Sequence, residues 1–204
     1  MTTAAFLSIV AIHILAAMSP GPSFVVCLRT AAQEGFRTAA ALAFGFGLGA
    51  ALWAVAALAG LALLFELVPA LFAALKLVGA GFLIWIAWNM WRHATDPLDL
   101  DIAGPARMSL PRAFRFGFLT FATNPKPAVF FGAVFVGLVP PGTPLPWLAA
   151  IVAAVFVNEV LWYLIVARLF STLAARTGYQ RLKSVIDRGF AGLLTLFGAR
   201  IALG

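Results

Sequence analysis

The sequence predicts an all-α fold, a polytopic membrane bundle of six transmembrane helices built as two inverted three-helix repeats. Of the 204 residues, 63% are apolar and only 10% are charged, and the mean hydropathy is +1.02. A soluble domain carries about 25% charged residues, so this chain is a membrane protein. Six apolar runs are long enough to cross about 30 Å of hydrocarbon, and two of them, the first and the fourth, are interrupted by proline.

Each span is predicted from an apolar run with at most one charged residue inside it. Lys76, Lys126 and Glu159 are the charges within the third, fourth and fifth runs. The last run is short unless it begins near Leu182, with Lys183 extending toward the headgroups. In order, the runs are Ala4 to Leu28, Thr38 to Phe65, Leu67 to Trp91, Phe116 to Val139, Trp147 to Ala167 and Gly189 to Gly204.

The connections leave no room for a soluble domain. We therefore predict one transmembrane domain over residues 1–204, with repeat one at about 4–91, a loop at about 92–111 and repeat two at about 112–204. The chain has no nucleotide-binding motif, and no cofactor is predicted. These features place the function inside the bundle.

Basic residues determine the predicted orientation. Of the 14 Lys and Arg residues, all but Lys76, Lys126 and Arg200 flank the loops after helices one, three and five. By the positive-inside rule these loops face the cytoplasm and both termini face outward. The net charge of +7 then reflects loops near anionic lipid, and no nucleic-acid partner is predicted.

Two proline-rich breaks are the predicted substrate site. Paired prolines remove backbone donors and open a helix, and matching breaks in inverted halves are the strongest sequence indication of a transporter site. Where each helix restarts, free N–H groups favour a carboxylate. The alternative is that the prolines only kink the helices for packing. The candidate residues are Ser19, Pro20, Gly21, Pro22 and Ser23 in the first helix, and Thr123, Asn124, Pro125 and Lys126 in the fourth.

Two charges reach the middle of the bilayer from opposite faces. At 1.5 Å per residue, Lys126 lies about 15 Å and Glu159 about 18 Å deep in their helices. A charge at that depth is costly unless it is paired or hydrated, so both side chains are expected to face the bundle interior and to meet. Glu159 is then the predicted ion-coupling residue together with Lys126. A structural ion pair is the alternative.

Other residues carry weaker signals. His13 has the chemistry of a proton shuttle, although a neutral histidine bonded to a neighbour is the more common case. Gly45 and Gly49 form a GxxxG surface for close helix packing. This surface favours packing within the bundle, with a homo-oligomer as the alternative.

Several short motifs follow one another along the chain. They are Pro20-Gly21-Pro22, Gly35-Phe36-Arg37 with Gly45 and Gly49, Leu75-Lys76 with Gly79-Ala80-Gly81, and Asn124-Pro125-Lys126 preceded by Phe114 and Gly117. Together they resemble the motifs of the LysE/RhtB family of amino-acid exporters. The resemblance covers roughly residues 5 to 203.

The predicted function is secondary transport, the export of an amino acid or close analogue across the bacterial inner membrane. Proton antiport is what the resemblance implies, so the predicted partners are the amino-acid substrate, protons and membrane lipid. A metal-cation or other small-ion exporter on the same fold is an alternative, although one deep carboxylate is few for a hard cation. An enzyme is not predicted: Cys27 lacks a partner cysteine for thiol–disulfide exchange. An intramembrane hydrolase using Ser23 and His13 would need them in contact, but they lie about 15 Å apart along one helix.

Overall fold

All regular secondary structure in the described residues is helical in the computed structural model of the chain. Alanine and leucine, both strong helix formers, make up much of the two longest apolar helices. The description covers residues 1–19, 21–67, 77, 80–81, 84–85, 87–96, 108–124, 126–127, 130–135, 138–140 and 142–203. The helices are α1 (Thr3–Met18), α2 (Pro22–Glu34), α3 (Phe36–Leu67), α4 (Leu110–Ala122), a π helix (Phe130–Phe135), α5 (Leu145–Phe170) and α6 (Leu173–Leu203).

Two of these helices are long and apolar enough to cross a bilayer, α3 over Phe36–Gly60 and α5 over Leu145–Phe170. The pair α1 and α2, whose axes differ by 61°, makes a third span if the bent pair is counted as one. The predicted third span, Leu67 to Trp91, lies largely outside the described residues, although residues 87–92 are helical. The chain is thus an all-helical membrane protein, while the count of six spans stays a prediction.

Helix α3 is the centre of the packing. It contacts α2, α4 and α5, and α5 in turn contacts α1 and α2. Gly35, between α2 and α3, has a φ of 81°, a backbone conformation that residues with a Cβ atom rarely adopt. This glycine allows α3 to fold back beside α2.

Glycines set the closest helix crossing. A Cβ atom at Gly45 would overlap the carbonyl oxygen of Phe114, and one at Gly117 would overlap that of Leu42. The neighbouring Gly49 faces the Cβ atom of Phe121, at 2.9 Å from the position its own Cβ would take. The GxxxG surface predicted from Gly45 and Gly49 therefore packs α3 on α4, within the chain.

We expect Gly45→Ala to lower the amount of folded protein, since the added methyl group would force α3 and α4 apart. Overpacking of this kind costs about 1–3 kcal/mol. Gly60→Ala, in the same helix, is the matched control because, among the described residues, no atom outside the local helix backbone lies within 4 Å of the added methyl group. Membrane immunoblots and melting curves in detergent measure the effect. Equal levels and melting temperatures for the two variants would contradict this packing.

Two helices begin earlier in the chain than the apolar runs from which their spans were predicted. Helix α4 begins at Leu110 and not at Phe116, because Pro111 occupies a first-turn position where its missing N–H costs nothing. Helix α6 runs for 31 residues from Leu173, so the basic segment placed in a loop is mostly helical. The connection between α5 and α6 is only Ser171 and Thr172.

Lys183 of α6 forms hydrogen bonds to the residues that follow the helical segment 87–92. The Lys183 ammonium donates to the carbonyl oxygens of His93 at 2.7 Å and Ala94 at 3.3 Å, and to Asp187 Oδ2 at 2.8 Å. Carbonyls at a helix end lack partners within the helix, so the lysine satisfies two of them. This contact joins segments that are far apart in the sequence.

Candidate functional site

The first predicted break lies between α1 and α2. Helix α1 ends at Met18, and Ser19 caps it with an extended backbone at φ −66° and ψ 124°. Helix α2 begins at Pro22, a first-turn position where proline is favoured. The break is thus a local consequence of the sequence. It places the carbonyl end of α1 next to the N–H end of α2 along the chain. Pro20 lies outside the described residues.

The Lys126 side chain extends from the second predicted break, which follows α4, to this first break between α1 and α2. Its ammonium donates to the Ser19 carbonyl oxygen at 2.6 Å and also to the Ser19 hydroxyl. The aliphatic part of Lys126 passes Gly21, where a Cβ atom would lie 3.3 Å from Lys126 Cδ. The positive charge therefore lies at the carbonyl end of α1, where the helix dipole is negative.

Asn124 joins the two breaks directly. Its side-chain amide donates to the Ser23 hydroxyl at 3.0 Å, and its Oδ1 accepts from the Lys126 backbone N–H at 3.0 Å. Asn124 is buried, and such a side chain needs partners to offset its loss of hydration. The amide thus fixes the backbone around Lys126 in place against α2.

Glu159 has a partner that the sequence analysis ranked low. Its Oε2 lies 3.5 Å from Nε2 of His13, and each side chain is 3% exposed. The phenyl rings of Phe130 and Phe131, in the π helix, lie 5.9 and 5.7 Å from the imidazole. The carboxylate on α5 therefore lies next to the imidazole on α1, and aromatic rings pack on the far side of that imidazole.

Lys126 and Glu159 face the same space without touching. The two groups interact electrostatically, but no ion pair within 4.0 Å joins them in the described structure. The two side chains were expected to meet, but the nearest partner of Lys126 is Ser19 and the nearest partner of Glu159 is His13. They share a site and are not a salt bridge.

These groups line one cavity. Its volume is about 40 Å³, room for about three water molecules. Among the described residues, no group of three His, Cys, Asp or Glu side chains is arranged to hold a metal ion. The polar lining residues are His13, Ser19, Ser23, Asn124, Lys126, Glu159 and Tyr163.

Some of the predicted site residues line this cavity and others do not. Ser19, Gly21, Ser23, Asn124, Lys126 and Glu159 line the cavity. Thr123 does not: it is exposed and its hydroxyl donates to the Leu119 carbonyl at 2.8 Å, capping α4. Pro22 serves as the first residue of α2 and is not in the lining. Pro125 lies outside the described residues.

Sequence reasoning missed Tyr163. This buried residue lies one helical turn after Glu159, so it shares a face of α5 with the carboxylate, and its hydroxyl lies next to Ser23. Its ring packs on Phe46 with centroids 4.6 Å apart. The spacing of four residues from Glu159 was the available signal.

The chain is similar in sequence to a family of translocators and to bacterial efflux proteins. Residues 14–204 match the family model described as LysE type translocator. The chain is 36% identical over 194 residues to the threonine efflux protein of Escherichia coli (strain K12), covering 93% of this chain and 92% of that protein. It is 31% identical over 193 residues to the homoserine/homoserine lactone efflux protein of Salmonella typhi, covering 92% and 91%. No solved structure matches the chain.

Proposed function

The chain belongs to the LysE type translocator family, and from that premise we propose that it exports an amino acid from the cytoplasm. It is a multi-pass protein of the bacterial inner membrane, in keeping with its bacterial relatives and apolar helices. Relatives are named for efflux of threonine and of homoserine or its lactone. L-threonine and L-homoserine are therefore the first substrates to test.

The observation that carries the proposal is the meeting of two helix breaks around one buried lysine. The Lys126 ammonium has three N–H donors, and in the described structure two of them are used by Ser19. A substrate carboxylate between Lys126 and the first turn of α2 would accept a charged hydrogen bond from the ammonium. It would also be stabilised by the positive end of the α2 helix dipole. Gly21 keeps the approach open, since it has no side chain.

Glu159 provides the opposite charge for a zwitterion. A substrate ammonium would pair with its carboxylate, which is buried and faces the same cavity as Lys126. The two protein charges then match the two charges of an amino acid. Buried charges need partners, so this arrangement favours a small zwitterion over a neutral or singly charged solute.

A secondary transporter exposes its central site to one side of the membrane at a time. We infer alternating access by one transmembrane domain, residues 1–204. Its two inverted three-helix repeats, at about 4–91 and 112–204, are joined by a loop at about 92–111. Repeats of this kind rock about a central site. Proton antiport would supply the energy, with Glu159 exchanging its partner during the cycle.

Export from loaded cells tests the function. Cells that express the chain and cells that carry an empty vector are loaded with L-threonine or L-homoserine, given as dipeptides, and the amino acid that appears outside is measured. Faster efflux with the chain supports the proposal. Equal efflux for every amino acid tested would overturn it.

The proposed orientation makes a separate prediction. Reporter fusions after Ala103 and Gly178 should read cytoplasmic, and a fusion after Gly142 should read external, because the basic residues cluster on one side. A cytoplasmic signal after Gly142 would contradict both the orientation and the number of spans.

A further inference from the structure

We propose that His13 is the proton-carrying residue of the transport cycle, and that its imidazolium and the substrate ammonium compete for the carboxylate of Glu159. This inference rests on the proposed function. The distance of 3.5 Å between His13 Nε2 and Glu159 Oε2 is close enough for an ion pair when the imidazole is protonated. Both side chains are 3% exposed, so bulk water does not screen the interaction between them.

The surroundings of His13 make its charge depend on Glu159. Phe130 and Phe131 of the π helix pack around the ring, and its Nδ1 is buried with no hydrogen-bond partner in the described structure. An apolar environment disfavours a charged imidazole, whereas an adjacent carboxylate favours it. In the proposed cycle, His13 holds a proton while Glu159 is free to pair, and the imidazole loses this proton when Glu159 is engaged elsewhere.

Other titratable groups in the cavity do not replace this pairing. Among the described lining residues, the remaining titratable groups are Lys126 and Tyr163. Helix α6 contributes the apolar residue Leu194 to the lining. Lys126 is held by Ser19, and its positive charge opposes protonation of His13. A substrate carboxylate bound to Lys126 would cancel that opposition, but the substrate ammonium would take the carboxylate of Glu159.

The competition makes exchange obligatory. A proton that enters from outside binds His13 Nε2 and pairs with Glu159. When the site opens to the cytoplasm, the ammonium of the amino acid displaces the imidazolium, which returns its proton to the cytoplasm as the neutral imidazole. One proton moves inward for each amino acid that moves outward. Without His13, Glu159 would still bind substrate, but no proton would be released in its place.

The test uses the full-length protein in liposomes with L-threonine as the probe. Two activities are compared: exchange of labelled for unlabelled threonine at equal pH, and accumulation driven by a pH gradient. His13→Gln is expected to keep the exchange and to lose the gradient-driven accumulation. His93→Gln is the matched control, because His93 is exposed and its ring contacts the Asn89 carbonyl in the same helical segment at 2.8 Å. That variant should keep both activities.

Threonine affinity gives an independent measurement. In the original protein it should fall about 5- to 150-fold from mildly alkaline to mildly acidic pH, the usual range for coupling between two ligands. In His13→Gln it should change less than about twofold. At mildly acidic pH, threonine binding in weakly buffered detergent solution should release about one proton from the original protein, because the imidazole is protonated there before threonine binds.

Each contrary result has a definite meaning. Gradient-driven accumulation by His13→Gln would overturn the proposal, and so would loss of threonine exchange, which would place His13 in the substrate site or the fold. Absence of proton release from the original protein overturns it without any variant. If the original protein exchanges none of the amino acids covered by the export assay, the proposed function fails and this inference fails with it.

Discussion

Lys126→Met is expected to lower the export of L-threonine about ten- to hundredfold at low internal concentration. Methionine keeps the unbranched chain, shorter only by the terminal atom, and removes the charge that the substrate carboxylate would meet. A hydrogen bond to a charged group contributes about 1.5–3 kcal/mol, and each 1.4 kcal/mol is about tenfold in affinity. The Ser19 carbonyl also loses its partner, which loosens the end of α1.

The measurement is the initial rate of efflux from loaded cells at several internal concentrations, divided by the amount of protein in the membrane. Arg112→Met removes a positive charge from the exposed surface of α4 and is the matched control. It should leave efflux unchanged. Efflux by Lys126→Met equal to that of the control would exclude Lys126 from the substrate site.

Glu159→Gln is expected to reduce export about a hundredfold, because the substrate ammonium and His13 both lose their anionic partner. Truncating one member of a buried charged pair costs about 2–5 kcal/mol. Protein level should also fall, since the positive charge of Lys126 remains in the cavity without its compensating charge. Asp96→Asn, at an exposed site, removes a negative charge and controls for the change in net charge.

The double variant Lys126→Met with Glu159→Gln separates folding from transport. Each single change leaves one buried charge uncompensated, which is more damaging than replacing both. The double variant should therefore recover the protein level but not the export. Export at the original rate would show that the two charges serve the structure alone. Normal level and export in either single variant would show that the two charges are independent.

The features that could be predicted from the sequence are those that depend on neighbouring residues. Apolar composition required a membrane environment, because a chain with so few charges cannot form a soluble surface. Pro22 and Gly21 ended one helix and began another by removing a donor and a side chain, so the first break was predictable from local chemistry. Counting the rise along each helix placed Lys126 and Glu159 at similar depth, and the structure puts them in one cavity.

The partners of those charges were decided by the tertiary structure. Depth along a helix does not give the rotation of the helix about its axis, and rotation determines which side chains meet. His13 pairs with Glu159 because α1 packs on α5, and Lys126 bonds Ser19 because Asn124 anchors the second break to Ser23. Thr123 caps α4, although it adjoins Asn124 in the sequence. Sequence determined the membrane environment, the first helix break and the buried charges, since these follow from local propensity and hydration. Only packing between segments more than 100 residues apart decided which of those groups touch, because that requires the relative positions of whole helices.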